Sequence, residues 1–380
     1  MIYLDYAATT SPSNKTLDAM KETCLKYPGN PSSLHALGIA ARKQYNTLKK
    51  SLANKLNTNH TNLVLTSTGT EAINQAIKGT FFKHPHKTIL TSSIEHHATL
   101  NALDFVKAQG GKVITIPVDH EGFLDLDILE NTLKTCDVSL FSLIHANNEI
   151  GVIQPVEKIA HILKKYHVKL HLDMVQIPAH QIVDFDLFDV DYASFSAHKF
   201  FGPRGVGLLY IKDPESIHSL IHGGKQENNL RAGTENLSGL AGMEHALKET
   251  WTSLEDKEKT IEELATYFLD CLQSFNLDFR LNGPPIGKNR LNSVLNIGFK
   301  NIDNQTLSFA LNEEAIYVST GSACHSHDIE PSHVLKAIST PEDYLCGCIR
   351  FSFSHNETKS SLKKTASILK TLIETGDYEK

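Results

Sequence analysis

Six short apolar runs limit the architectures this chain can adopt. They are "NLVLTS" (62–67), "KTILTS" (87–92), "KVITIPV" (112–118), "VSLFSLI" (138–144), "KLHLD" (169–173) and "GVGLLYI" (205–211). Amphipathic stretches of helical length lie between them, among them 70–82, 98–109 and 155–166. Runs apolar throughout are buried on both faces, and strands that alternate with helices are joined by crossovers. The pattern therefore predicts a mostly parallel sheet with helices on both sides. From about residue 252 the pattern changes. "TSLEDKEKTIEELATYFLDCLQSF" reads as one long helix, and "GPPIGKNRLNSVLNIGF" as a Pro/Gly break before a strand. The expected fold is α/β: a large domain over 15–255, and a smaller α+β domain from 1–14 and 256–380. With 380 residues, 41% of them hydrophobic, the chain can fill both cores.

Composition removes several function classes. Lys plus Arg number 37 and Asp plus Glu 43, a net charge of −6, so no electrostatic attraction to nucleic acid is expected. No run approaches 18 uncharged apolar residues, and "MIYLDYAATTSPSNKT" lacks the basic-then-apolar plan of a signal peptide. A membrane partner is not expected. Six cysteines in a chain this long form no disulfide framework, which fits a cytoplasmic location. Twenty histidines suggest metal, but no HExxH or paired CxxC spacing accompanies them, so no metal site is expected.

In open α/β sheets ligands gather beyond the carboxyl ends of the strands. The residues at those ends are "STGTE", "SIEHH", "HANNEIG", "DMVQ" and "SAHK". The dinucleotide fingerprint and the P-loop are both absent. "TSTGTEAINQAIKG" (66–79) reads as a strand, a small-residue turn and a helix start. The free N–H groups there suit a phosphate, with Gly69 and Thr70 as candidates; a plain N-cap with Glu71 in the first turn fits equally. Asp173 could face a cationic ring nitrogen with Gln176 beside it, or simply cap a helix. Lys199, in "SFSAHKFFGPRG", could be an amine whose charge is disfavoured by apolar company, or a surface lysine reaching water. Together the three suit one ligand, pyridoxal phosphate (PLP): a phosphate seat, an acid for the ring nitrogen, and a lysine for the aldehyde.

At this point the chain resembles the cysteine desulfurases of the class V aminotransferase fold. The motifs are "YLDYAATT" (3–10), "GNPSSLHALG" (29–38), "GTEAINQAIKG" (69–79), "SIEHHATL" (93–100), "HANNEIGVIQP" (145–155), "SAHKFFGPRGVGLLY" (196–210), "LRAGTEN" (230–236), "STGSACHSHDIEPSHVL" (319–335) and "IRFSFSHNET" (349–358). The resemblance implies the type I fold of PLP-dependent transferases. It also implies a homodimer that converts L-cysteine to L-alanine and passes the sulfur to an acceptor protein, for iron–sulfur cluster assembly or tRNA thiolation. By the same resemblance Lys199 would hold PLP as a Schiff base, Asp173 would pair with the ring N–H, and Gln176 would bond the ring hydroxyl. His96 would stack on the ring and move protons. Gly69, Thr70, Ser196 and His198 would hold the phosphate, joined by Thr234 from the partner subunit. Asn148 and Arg350 would hold the substrate carboxylate. Cys324, on a loop expected to be mobile, would take the sulfur as a persulfide.

Departures from the family pattern are Lys225 and "QENNL" (226–230), Met174-Val175, and "CGCIR" (346–350). Cys346 and Cys348 leave open a second sulfur relay. Selenocysteine lyase activity, a non-catalytic sulfur-transfer scaffold and a histidine-rich metal protein are the competing readings.

Overall fold

The computed structural model describes residues 1–320 and 331–376; Cys324 lies outside them. The chain opens on a two-residue strand, β1 (Ile2–Tyr3). The central sheet is built from β2 (Leu63–Thr66), β3 (Thr88–Ser92), β4 (Lys112–Ile116), β5 (Val138–Ile144), β6 (Lys169–Asp173), β7 (Tyr192–Ser196) and β8 (Gly207–Ile211). Their spatial order is β2-β8-β7-β6-β5-β3-β4. Strand β8 is antiparallel to both neighbours, and every other pairing is parallel. Six strands therefore end at the same edge of the sheet. Each of the six predicted runs contains one strand. The seventh, β7, forms within "DYASFSA", whose serines and alanines dilute the apolar signal.

Both faces of the sheet are covered, and the side chains alternate between two cores. On β2, Leu63 and Leu65 join one core and Val64 the other; on β8, Leu208 and Tyr210 oppose Leu209 and Ile211. This two-sided burial explains why the runs carry no polar alternation. The helices Gly69–Lys83, His97–Ala108 and Val156–Lys165 match the predicted amphipathic stretches to within one residue at each end.

The C-terminal part supplies β9 (Phe279–Asn282), β10 (Val294–Phe299), β11 (Ile316–Tyr317) and β12 (Cys348–Ser352). An antiparallel sheet has the order β12-β10-β9, while β11 pairs in parallel with β1. The helices Leu254–Ser274 and Lys359–Thr375 share its core, in which the Phe268 and Phe351 rings meet edge-on at 5.2 Å. Leu4 belongs to this core and Ala7 to the core of the large sheet. Between them the N-terminal strap is tied to β12: Ser352 N–H donates to Leu4 O (2.7 Å), and Ala7 N–H donates to Ser352 Oγ (2.9 Å).

No helix is long and apolar enough to cross a membrane, among the described residues.

Candidate active site

The carboxyl ends of β2, β3, β5, β6 and β7 open into one cavity of about 560 Å³. Gly69, Thr70, His96, Asn148, Asp173, Gln176, Ser196, His198, Lys199 and Arg350 all line it. Strand ends carry the groups on the floor and one wall, and β12 contributes Arg350 from the smaller lobe.

Lys199 ends the short turn that follows β7. Its Nζ donates to Ala7 O (2.6 Å) and Ala8 O (2.8 Å). Burial pushes its pKa down from 10.5 to about 8; Arg350 adds to this, while Asp173 and Asp5 oppose it. Carbonyl contacts alone give no compensating negative charge, so a substantial fraction of the amine is neutral near pH 8. Asp173 closes β6 and is 4% exposed. Burial lifts its pKa from 3.8 to about 6, against the pull of the Val175 N–H (3.0 Å) and Lys199. Gln176 donates from Nε2 to Ala7 O (3.0 Å), the carbonyl that Lys199 also uses.

His96 caps the helix His97–Ala108 by accepting the Ala98 N–H at Nδ1 (3.1 Å), which leaves the proton on Nε2 in the neutral ring. The ring is reached from the cavity, yet the surrounding protein disfavours its charge. Burial, then Lys199, pushes its pKa down to about 4. His198 places Nδ1 3.1 Å from Thr9 Oγ1, and burial with Lys199 and Arg204 lowers its pKa to about 4 as well. Both imidazoles are therefore neutral at physiological pH.

The helix Gly69–Lys83 starts with Thr68 as N-cap, its Oγ1 accepting the Glu71 N–H (3.0 Å). The plain cap and the open N–H groups coexist, because only one backbone donor is used. A Cβ on Gly69 would come 2.8 Å from Val175 Cγ2 and 3.3 Å from Ser196 Cβ. The glycine keeps this seat open, and the bulky Val175 of "DMVQ" packs directly opposite it. A phosphate fits the unpaired N–H groups and dipole of the helix start. A ring nitrogen fits the carboxylate of Asp173, and an aldehyde fits the amine of Lys199. The residues present thus suit PLP.

Thr234 is exposed and does not line this cavity within one chain. Cys348 is fully buried, with Sγ donating to Tyr344 O (3.3 Å) and accepting from Asn282 Nδ2 (3.2 Å). Burial pushes its pKa up to about 12, so it holds almost no thiolate at neutral pH and is poorly suited to a sulfur relay. Cys346 is exposed. In native protein at pH 7.5, iodoacetamide is expected to alkylate Cys346 and leave Cys348 unmodified, as read by peptide mass spectrometry. Modification of Cys348 at a comparable rate would contradict the burial.

Sequence reasoning assigned no role to Asp5, Ala7, Ala8 or Thr9, which touch Arg350, Lys199, Gln176 and His198. The motif "YLDYAATT" marked the segment, but a backbone carbonyl leaves no signature in a sequence. Glu95 was also missed. It is buried before His96, its Oε1 accepts from Ser92 Oγ (2.5 Å) and Ile144 N–H (2.9 Å), and burial raises its pKa to about 8. Among the described residues no group of three or more His, Cys, Asp or Glu side chains is placed to hold a metal ion.

Comparison with known proteins agrees with this geometry. The family model described as aminotransferase class-V matches residues 2–364. A cysteine desulfurase IscS from Dictyoglomus turgidum is 41% identical over 98% of this chain and 94% of that protein. Another from Methanosarcina thermophila is 36% identical over 98% and 92%. Among solved structures, a NifS-like protein superposes with a TM-score of 0.90 at 33% identity, covering 98% of this chain and 99% of that one. SspA, solved in complex with cysteine, gives a TM-score of 0.82 at 29% identity over 94% and 100%. The α/β sheet is that of the type I PLP-dependent enzymes, and the chain belongs to the class-V aminotransferase family.

Proposed function

We propose that this protein is a PLP-dependent cysteine desulfurase that converts L-cysteine to L-alanine and carries the sulfur on Cys324. The observation that carries this reading is the meeting of Lys199, Asp173 and Arg350 in one cavity, each from a different strand end or lobe. The similarity to curated cysteine desulfurases over nearly the whole chain supports the substrate. The division into 15–255 and 1–14 plus 256–380 is part of the reading, supported by two separate apolar cores.

In this reading Lys199 would hold the aldehyde of the cofactor, Asp173 its ring nitrogen and Gln176 its ring hydroxyl, and His96 would stack on the ring. Gly69, Thr70, Ser196 and His198 hold the phosphate, with Thr234 reaching it from the partner subunit of a homodimer. When bound, PLP supplies an electron sink for the bonds at Cα and Cβ. Asp173 is poised to remain an anion beside a protonated ring nitrogen, because a cationic partner reverses the cost of its burial. Lys199, freed when the substrate amine takes its place at the aldehyde, would use its lowered pKa to take the Cα proton. Arg350 and Asn148 hold the substrate carboxylate and fix which bonds face the base. Cys324 attacks the substrate sulfur as a thiolate; the S–S bond forms as Cβ–S breaks, and the electron pair goes to the substrate fragment. Protonation at Cβ and Cα then completes alanine.

The persulfide sulfur passes to an acceptor protein in iron–sulfur cluster assembly or tRNA thiolation. A cytoplasmic site of action belongs to the same reading. It is supported by the free state of all five described cysteines. The test is to incubate holoenzyme with sulfur-labelled L-cysteine. Wild type is expected to release alanine and carry label, and Cys324→Ala to lose the protein-bound label. No alanine from wild type would overturn the function; label retained in Cys324→Ala would overturn the role of that thiol.

A further inference from the structure

Arg350 is 5% exposed, and its guanidinium is held from two sides. Nη1 donates to Asn148 O (3.1 Å), and Nη2 to Asp5 Oδ1 (2.8 Å) in an ion pair. Its Nε–H is buried without a partner. Of the five N–H donors of a guanidinium, this leaves one on each terminal nitrogen, the number a carboxylate fork needs. Asp5 is itself fixed by the strap: it bridges to Ser352, two residues beyond Arg350 on β12. Tyr6 N–H donates to Ser352 O (3.1 Å). The pairing of the strap with β12 thus fixes the Asp5 backbone beside Arg350, and only rotation of the short Asp5 side chain can part the two. It is also among the groups that act electrostatically on Lys199.

We propose that Asp5 is the positioning residue for carboxylate recognition, holding the Arg350 guanidinium in the orientation that receives the carboxylate of an amino-acid substrate. The inference rests on the reading of Arg350 as the carboxylate-binding group. Asp5 lines the same cavity, but its carboxylate is engaged by the Arg350 guanidinium. It acts by restricting Arg350, a long side chain that otherwise loses several rotors on each binding event. The strap that holds Asp5 also supplies the Ala7 and Ala8 carbonyls to Lys199. One segment therefore sets the spacing between the carboxylate clamp and the amine.

The test compares holoenzyme affinities for L-alanine and for ethylamine, which is alanine without its carboxylate. Dissociation constants are read by calorimetry, with melting temperatures as a fold check. Asp5→Ala is expected to lower the L-alanine over ethylamine preference by about tenfold or more, and Asp5→Asn by less. Ethylamine affinity stays within about twofold. If Asp5→Ala does not fold, Asp5→Asn carries the comparison, because it preserves shape and one acceptor oxygen. An unchanged preference overturns the proposal. So does an increased preference, which would make Asp5 a competitor for Arg350. Parallel losses for both ligands overturn it too, because they indicate general damage. Failure of the desulfurase reading shows separately, as wild type that binds L-alanine but releases none from L-cysteine.

Discussion

Replacing Lys199 with alanine is expected to lower kcat for L-cysteine by about 10²–10⁴-fold, the range for removing a positioned proton-transfer group. The loss follows from where the amine sits. Its position is fixed by two carbonyls on the strap, at 2.6 and 2.8 Å, and its pKa is brought to about 8 by burial. Among the described residues no other lysine lines the cavity. Lys199→Arg is expected to fail as well, because a guanidinium keeps its proton at any accessible pH. Borohydride treatment followed by proteolysis checks the assignment directly. Cofactor mass should remain on the peptide bearing Lys199 in wild type and on no peptide in the variant. Lys199→Ala with more than a tenth of wild-type turnover would refute the role. The same pKa gives a pH dependence: only the neutral amine attacks an aldehyde. Uptake of PLP by ligand-free protein should therefore accelerate as pH rises and level off above about 8, as followed by absorbance.

Asp173→Asn should cost about 10²–10³-fold in turnover, comparable to removing one preorganised electrostatic group, while making the ligand-free protein more stable. The opposite signs have one cause. Asp173 is 4% exposed, and its pKa rises from 3.8 to about 6 on folding. Above pH 6 the folded protein carries this buried anion at a cost on the order of 3 kcal/mol. Between pH 6 and 3.8 the folded state takes up the proton first and the cost fades. Below 3.8 both states are protonated and it vanishes. Urea unfolding of ligand-free wild type and Asp173→Asn should show the variant ahead at pH 7.5 and level at pH 3.5. A variant that is less stable at pH 7.5, or that turns over at the wild-type rate, would contradict the assignment.

The sheet was legible because its runs are buried on both faces, and the candidate residues because they follow those runs. Thr70, Asp173 and Lys199 were each ambiguous alone; what resolved them was falling beyond different strands of one parallel sheet. β7 was missing from the apolar runs because Ser194 and Ser196 interrupt its pattern, although both serines are buried; only its end, "SAHK", was read as a strand end. Asp5 was hidden for a different reason. Its partner Arg350 is 345 residues away, and no local periodicity reports a contact of that range. The carbonyls of Ala7 and Ala8 were hidden because any residue could supply them. The burial of Cys348 depends on Asn282 and Tyr344 closing around it, which a C-x-C spacing does not encode.

The tie between the strap and β12 bears on the order of assembly. A ribosome makes the strap well before its partner strand, with 345 residues from Asp5 to Arg350. Until Cys348–Ser352 has emerged, Leu4 has no Ser352 amide to receive, and the Ala7 amide has no Ser352 hydroxyl to reach. The large sheet can form on a nascent chain well before that, but the carbonyls that hold Lys199 and the carboxylate beside Arg350 cannot be in place. A nascent chain that has not reached β12 therefore lacks the assembled pocket, and loading with the aldehyde is deferred until that strand is made.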